Sequence, residues 1–253
     1  MLPLPPQDAA HWLIALALNG LLIGLAQRLP LLTHAGWIHA GVLGTLLWGS
    51  LGWRGWLAVV AYLVLGSLVT RLGFRQKQAS GLAEARGGQR GPENVWGSAL
   101  VGTVAALLTT AATSPWQLLL LLGFAASFAA KLADTFGSEI GKRWGRHTVL
   151  ITSLKPVAPG TEGAISLEGT AASLAGAVLM TLVMLALGLI NGGGAALLVS
   201  VVALAATLLE SLIGATLQRR WSWLSNELVN GLQTLLAAVM AIAPVALGWI
   251  SLG

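Results

Sequence analysis

Eight long apolar runs dominate the sequence and limit the folds that it can adopt. A helix of about 20 apolar residues crosses the roughly 30 Å hydrocarbon core of a bilayer. Of the 253 residues, 56% are hydrophobic and only 9% are charged, whereas soluble domains average about 25% charged residues. The runs predict helices near 12–26, 35–52, 55–70, 95–113, 116–133, 164–190, 195–217 and 228–250. We therefore predict an all-α, polytopic transmembrane helix bundle of about eight helices, forming a single integral-membrane domain over residues 1–253. Because the first run is short, seven or nine membrane-spanning helices are alternatives to eight.

Positive residues are concentrated in alternate connections between the predicted helices. Lys or Arg follows the first, third, fifth and seventh helices, whereas the connections after the fourth and sixth contain neither. Because such residues collect in cytoplasmic loops, we expect these connections to be cytoplasmic and the net charge of +5 not to indicate nucleic-acid binding. The first run has no positive residues before it, so we expect a retained helix and not a signal peptide. The absence of cysteine excludes disulfides and thiol chemistry.

The segment 130–170 concentrates charge between two apolar runs. Its charged residues are Lys131, Asp134, Glu139, Lys142, Arg143, Arg146, Lys155, Glu162 and Glu168. Ionisable residues beside hydrocarbon are candidates for function. We therefore expect this segment to be a central catalytic loop region with a magnesium–nucleotide site at the membrane surface.

The motif ADTFGSEIGK supplies two candidate metal ligands, Asp134 and Glu139. Mg²⁺ prefers one or two carboxylates together with phosphate oxygens and water. On a continuous helix the two carboxylates point in different directions, so both reach one ion only if the helix breaks at Gly137. Ser138 shares a helix face with Asp134. The alternative is structural: an ion pair between Lys131 and Asp134 that extends toward water.

The motif LKPVAPGTEGAISLEGT contains donors for a phosphate group, namely Lys155, Thr161 and Ser166. Its prolines and glycines forbid a continuous helix, and the residues after Gly163 are expected to open the sixth helix. The N-terminus of that helix would favour an anion. The alternative is that Ser166 simply caps the helix. No GxxxxGK[ST] phosphate-binding loop is present.

Three further positions place polar groups beside apolar helices. An unpaired Glu210 inside its apolar run would cost at least about 2.5 kcal/mol, so it must face a wet or metal-bearing cavity or be neutral. Glu227 and Asn230 lie on one face at the entrance to the eighth helix, where Asn226 is a candidate N-cap. Arg90, in the glycine-rich GGQRGPEN, could hold a phosphate beside a helix N-terminus; a flexible, solvated loop is the alternative.

Five motifs in order, GGQRGPENV, ADTFGSEIGK, LKPVAPGTEGAISLEGT, ESLIGATLQ and NELVN, resemble an integral-membrane family. That family includes plant and cyanobacterial phytyl-phosphate kinase and animal transmembrane protein 19. The resemblance covers roughly residues 86–230. The order of the acidic, glycine-rich and basic elements is also similar to the CTP-binding lipid enzymes dolichol kinase, phytol kinase and phosphatidate cytidylyltransferase.

The resemblance implies a CTP-dependent kinase that converts a prenyl (phytyl) monophosphate to its diphosphate, with Mg²⁺ as cofactor, for tocopherol biosynthesis or phylloquinone side chains. Its implied catalytic residues are Asp134, Lys155 and Glu210. Its implied metal ligands are Asp134, Glu139, Glu227 and Asn230. Its implied nucleotide- and phosphate-binding residues are Arg90, Ser138, Lys142, Thr161, Glu162, Gly163 and Ser166. The spacing from Lys155 to Glu162 departs from the cytidylyltransferase pattern, which puts the role of Glu162 in doubt.

Two other functions are compatible with the same residues. A cytidylyltransferase would release pyrophosphate and leave CMP on the lipid, and a transporter would use the intramembrane carboxylates as ion or substrate ligands. The expected partners are a lipid phosphate, a nucleotide and membrane lipids, without nucleic acid; a homo-oligomer stays open. We expect a multi-pass protein of a plasma or thylakoid membrane.

Overall fold

The computed structural model describes residues 4–252, and within that range the chain is a bundle of helices. The helices are α1 (Ala9–Ala26), α2 (His34–Arg71), α3 (Phe74–Ala79), α4 (Pro92–Ala111), α5 (Trp116–Trp144), α6 (Leu167–Ala186), α7 (Gly192–Ile213) and α8 (Asn226–Ala246). A short 3₁₀ turn covers Ala85–Gly88, and Gly214–Gln218 continues α7 as a π-helix. Seven of the helices within 4–252, all but α3, are long and apolar enough to cross a membrane. The predicted polytopic bundle is confirmed.

The helix α2 is a hairpin that reverses direction at Gly52. The backbone of Gly52 has φ 69° and ψ −162°, which is not helical. Trp56 donates a hydrogen bond of 2.8 Å from Nε1 to Oδ1 of Asn19, and a methyl group at Gly44 would lie 3.2 Å from the same Nε1 atom. In a straight helix those positions would be about 18 Å apart. The arms 34–51 and 53–71 are therefore antiparallel, as the separate second and third apolar runs predicted.

The helix α5 lies at the centre of the bundle. Of its most apolar stretch 83% is buried, compared with 11% for α1, and it packs against α2, α4, α6, α7 and α8. Small residues permit close contact with α6: a methyl group at Gly137 would lie 2.0 Å from Oγ of Ser173. The helix continues to Trp144 and does not end at 133 as predicted.

Two connections, 72–91 and 145–166, meet at one end of the bundle, beside the N-terminus of α8. In the second, β1 (Val149–Leu150) pairs antiparallel with β2 (Ala164–Ile165). Ser166 caps α6, since its Oγ accepts a hydrogen bond of 3.1 Å from the Gly169 amide, as the structural alternative predicted. The cap of α8 is Ser225 and not Asn226.

Candidate functional site

A polar cavity of about 370 Å³ opens at the end of the bundle where these connections meet. Its wall draws residues from α2, α4, α5, α6, α7 and α8, from the segment 84–90 and from the hairpin loop 159–166. Twelve sequence-predicted site residues line it: Arg90, Asp134, Ser138, Glu139, Lys142, Thr161, Glu162, Gly163, Ser166, Glu210, Glu227 and Asn230. The structure therefore brings together side chains that are far apart in the sequence.

Lys155 is the predicted site residue that does not line the cavity. It lies exposed in the loop between β1 and β2, where its backbone amide faces Oγ of Ser153 at 3.4 Å. The motif around it folds back as a hairpin, which brings Thr161 and Glu162 to the cavity and leaves Lys155 at the far side of the turn.

The cavity wall carries more acidic than basic side chains. Six of the nine acidic residues of the chain line it: Glu84, Asp134, Glu139, Glu162, Glu210 and Glu227. Four basic residues line it: Arg86, Arg90, Lys131 and Lys142. Within residues 4–252, Glu162, Glu210 and Glu227 have no ion-pair partner. This excess of carboxylates favours a cation in the cavity.

Lys131 connects α5 to α8 at the inner end of the cavity. Its ammonium group is paired with the carboxylate of Asp134 on the same helix and donates a hydrogen bond of 2.8 Å to Oδ1 of Asn230. Lys131 is only 6% exposed. The ion pair that the structural alternative predicted is present, but it is buried in the cavity wall and does not extend toward water.

Glu139 faces a different side of α5 from Asp134 because the helix runs unbroken through Gly137. It is 2% exposed and is paired with the equally buried Lys77 of α3. Lys142 approaches its other oxygen at 3.7 Å. The break required for Asp134 and Glu139 to share one ion is absent from α5, so the structure does not bring these two predicted ligands together. Lys77 could not be identified from the sequence, because it is one of several basic residues in the charged connection after the third apolar run.

Two acidic groups in the connections have perturbed pKa values. Partial desolvation opposes ionisation of Glu84, but the ammonium of Lys142, 3.0 Å from its carboxylate, together with Glu139 and Arg90, lowers the pKa of Glu84 overall. Desolvation raises the pKa of Glu162, against the effect of Lys142. Glu84 therefore stays ionised at neutral pH and helps to hold Lys142 at the cavity mouth.

Arg90 is held in a defined position at the cavity wall. Its Nη1 donates a hydrogen bond of 3.0 Å to the Tyr62 hydroxyl, and its guanidinium lies 5.3 Å from the centre of that ring. The Arg90 carbonyl accepts a hydrogen bond of 3.0 Å from the Thr33 amide. The alternative of a flexible, solvated Arg90 is therefore not supported. Tyr62, too, was missed, because a single tyrosine in an apolar run has no local signal.

The hairpin approaches α7 closely at Gly163. This residue has φ +77°, and a methyl group there would lie 2.4 Å from Cβ of Ala215 and 2.6 Å from the Ser211 carbonyl oxygen. Only glycine combines this backbone conformation with so little space. Gly163 therefore acts by allowing close approach of the backbone to α7, beside Glu210.

Within residues 4–252, no three His, Cys, Asp or Glu side chains form a ready metal cluster. Mg²⁺ that arrives on a nucleotide needs only one or two carboxylates, since phosphate oxygens and water complete its coordination. The carboxylates and amide oxygens of Asp134, Glu210, Glu227 and Asn230 all line the cavity. The donor set therefore fits an ion carried by a phosphate ligand.

Fold and cavity together define a polytopic α-helical membrane protein with a charged pocket at one end of its bundle. The chain belongs to the family described as Integral membrane protein DUF92, whose model matches residues 17–238. The family resemblance carried by the five motifs is thereby confirmed.

Several known proteins are similar over most of the chain. Uncharacterized membrane protein sll0875 of Synechocystis sp. is 52% identical over 236 residues, which cover 92% of this chain and 91% of the relative. Protein VTE6, chloroplastic, of Arabidopsis thaliana is 41% identical over 237 residues, 91% of this chain and 71% of the relative. Uncharacterized membrane protein MJ0933 of Methanocaldococcus jannaschii is 30% identical over 213 residues, 83% of this chain and 84% of the relative. No solved structure matches the chain significantly.

Proposed function

We propose that this protein is a kinase that transfers a phosphoryl group from CTP to a prenyl monophosphate, such as phytyl monophosphate, at the cytoplasmic membrane face. The observation that carries the proposal is the cavity: it collects six acidic and four basic side chains in a chain that is only 9% charged. The resemblance of the five motifs to the phytyl-phosphate kinase family supports the choice of substrates.

Phosphoryl transfer to a phosphate monoester requires mainly that the two substrates are positioned and that their negative charge is compensated. The acceptor is already a phosphate monoester, whose oxygen is ionised near neutral pH, so the site needs no strong general base. Phosphoryl transfer is catalysed by aligning donor and acceptor and by stabilising the charge between them. Arg90, Lys131 and Lys142 offer the positive charges for this task, each held by a neighbour: Tyr62, Asp134 and Glu84.

In this proposal Asp134, Glu210, Glu227 and Asn230 would hold a nucleotide-bound Mg²⁺, which would supply positive charge for the phosphates. Glu139 has a supporting role, because its carboxylate already contacts Lys77 and Lys142. Ser138, Thr161, Gly163 and Ser166 shape the phosphate-binding wall, with Glu162 beside them. The positive residues of the surrounding connections support a cytoplasmic opening, where CTP is available.

The direct experiment uses purified full-length protein with Mg²⁺, γ-labelled CTP and phytyl monophosphate. We expect labelled phytyl diphosphate, and we expect Asp134→Asn to reduce turnover by roughly 100-fold or more, as loss of a group that organises transition-state charge does. Asp8→Asn is the matched control, because Asp8 caps α1 through a 2.8 Å bond from the His11 amide and lies outside the cavity.

The products distinguish the rival functions. Release of pyrophosphate with CMP left on the lipid would identify a cytidylyltransferase. Movement of a solute across liposomes without nucleotide turnover would identify a transporter. Absence of a diphosphate product with CTP, ATP, GTP or UTP, tested on phytyl, geranylgeranyl and farnesyl monophosphates, would contradict the proposal.

A further inference from the structure

An apolar groove runs along the outer surface between α6 and α7 and meets the polar cavity. It encloses about 470 Å³. Its large side chains are Leu174, Val178 and Leu182 from α6 and Leu197, Val201, Leu204 and Leu208 from α7. Leu208 lines both the groove and the polar cavity. The groove therefore begins where the charged surface ends.

On both helices, residues that line the cavity and residues that line the groove lie within one or two positions of each other. On α6, Ser173 lines the cavity and Leu174 the groove; on α7, Thr207 lines the cavity and Ala205 the groove. A ligand with a polar end and an apolar end can therefore contact both spaces at this border. Such a ligand is an amphiphile whose head group is small enough for the cavity.

The groove offers a hydrocarbon surface despite its two hydroxyl groups. Ser200 donates a hydrogen bond of 3.1 Å to the hydroxyl oxygen of Thr181, and Thr181 donates one of 2.8 Å to the Ala177 carbonyl. Both hydroxyl protons are thereby satisfied inside the protein. Ala196, Ser200 and Ala205 are small, which makes the depression between the larger side chains.

The length of the groove fits one lipid tail. From Ala196 to Leu208 it extends about 18 Å along α7, at roughly 1.5 Å per residue. That is a little over half of the roughly 30 Å hydrocarbon core, the depth that a tail from one leaflet reaches. A helix from a second copy would need a matching surface across the whole membrane.

We propose that this groove binds the isoprenoid tail of the lipid monophosphate and that the phosphate enters the cavity past Leu208. The identity of the head group rests on the proposed kinase function. The tail remains at the protein–lipid boundary, whereas the phosphate reaches Lys131 and Glu210 inside the cavity. The groove then determines which chain lengths are accepted.

Filling the groove at its far end tests the proposal. Ala196→Phe should lower kcat/KM for geranylgeranyl monophosphate by about tenfold, the effect of losing a few methylene contacts, and leave geranyl monophosphate unaffected because its tail ends sooner. Ala205→Phe, close to the cavity, should impair both substrates. Ala17→Phe is the matched control on the exposed face of α1, and an unchanged chain-length preference in Ala196→Phe would overturn the proposal.

A second measurement does not depend on turnover. Geranylgeranyl monophosphate with a diazirine at the end of its tail should label α6 and α7 within residues 174–205, and unlabelled geranylgeranyl monophosphate should compete where inorganic phosphate does not. Specific groove labelling in a protein without kinase activity would retain the groove and reject the kinase. Kinase activity with labelling spread over all outward helix faces would reject the groove alone, leaving ordinary surrounding lipid as its occupant.

The absence of cysteine allows one further test of the occupant. A single Val201→Cys variant reports whether a second copy covers the groove, because only an intermolecular disulfide can form. We expect monomers after oxidation in membranes. Efficient dimer formation would show a protein partner in the groove and overturn the lipid assignment.

Discussion

Lys131 on α5 donates a hydrogen bond of 2.8 Å to Oδ1 of Asn230 on α8 while it is paired with Asp134. One buried ammonium group thus connects two helices and the carboxylate expected to meet a nucleotide-bound ion. An incoming phosphate and Asp134 would share this cation. Its loss should therefore lower both phosphate binding and the stability of helix packing, and the two effects can be measured separately.

Lys131→Met is expected to lower kcat/KM by roughly 100-fold or more, because a preorganised positive charge disappears from the cavity. It also leaves Asp134 without its cation, so the free energy of unfolding should fall. Lys131→Met/Asp134→Asn should recover much of that stability without recovering activity. Turnover assays and thermal unfolding separate the two effects, with exposed Arg75→Met as control. Wild-type turnover in Lys131→Met would mean that this cation does not contact the substrate.

The buried pair of Lys77 and Glu139 is expected to hold α3 against α5. Lys77→Met alone should destabilise the protein by up to about 3–5 kcal/mol, because it removes the closer of two cations from a buried carboxylate and leaves only Lys142, at 3.7 Å. Lys77→Met/Glu139→Met should be considerably more stable than either single variant. A double-mutant cycle from chemical unfolding in detergent measures the coupling. Additive effects would show that the two side chains do not interact.

Gly163→Ala is expected to displace the hairpin from α7. A left-handed φ costs a non-glycine residue about 1–2 kcal/mol, and the methyl group would also collide with Ala215 and Ser211. The control is Gly81→Ala, where φ is +70° but no atom lies within 4 Å of the added carbon. The excess loss of Tm in Gly163→Ala over Gly81→Ala reports the collision. Equal losses would contradict the close approach.

The bridge between Glu84 and Lys142 should stabilise the protein in a pH-dependent way. Since the pKa of Glu84 is lowered from its ordinary 4.5, the contribution is fully present above that value and is lost as pH falls through the lowered pKa. The side chain is 49% exposed, so Glu84→Gln should cost no more than about 1 kcal/mol at neutral pH. Unfolding of wild type and variant across pH measures this difference. A cost that persists in acid would exclude the carboxylate charge as its source.

Lys155→Met is expected to retain most of the activity, because this residue is exposed and lies outside the cavity. The motif resemblance implies the opposite outcome, so kcat and KM for CTP decide between the two. A large loss of kcat would indicate that the hairpin rearranges when substrates bind.

The helices could be predicted because apolar runs must match the membrane thickness, and even the reversal at Gly52 lies where the second predicted run ends. The end of α5 could not, because its last turns carry charges whose partners, such as Lys77 and Glu84, are distant in the sequence. Hydropathy predicts a loop for residues 134–144, but these residues continue the helix.

Most of the cavity residues could be predicted for a related reason. A carboxylate such as Glu210 or Glu227 beside an apolar helix requires a polar destination, and a single cavity provides it. Lys77 and Tyr62 could not be found in this way, because their importance arises from contacts with Glu139 and Arg90 that are distant in sequence. Lys155 shows the reverse error: a plausible local motif does not determine which side of a hairpin faces the ligand.

The enclosure of α5 by five other helices has a consequence for how ligands enter. Because α5 is buried along most of its apolar length and is in near-contact with Ser173 at Gly137, a tilt of this helix would require its neighbours to move. Two halves of the bundle therefore cannot rock past each other, as alternating access requires, without displacing the helix that they share. We therefore expect ligands to exchange through small movements of the peripheral connections, at the end of the bundle where the cavity opens.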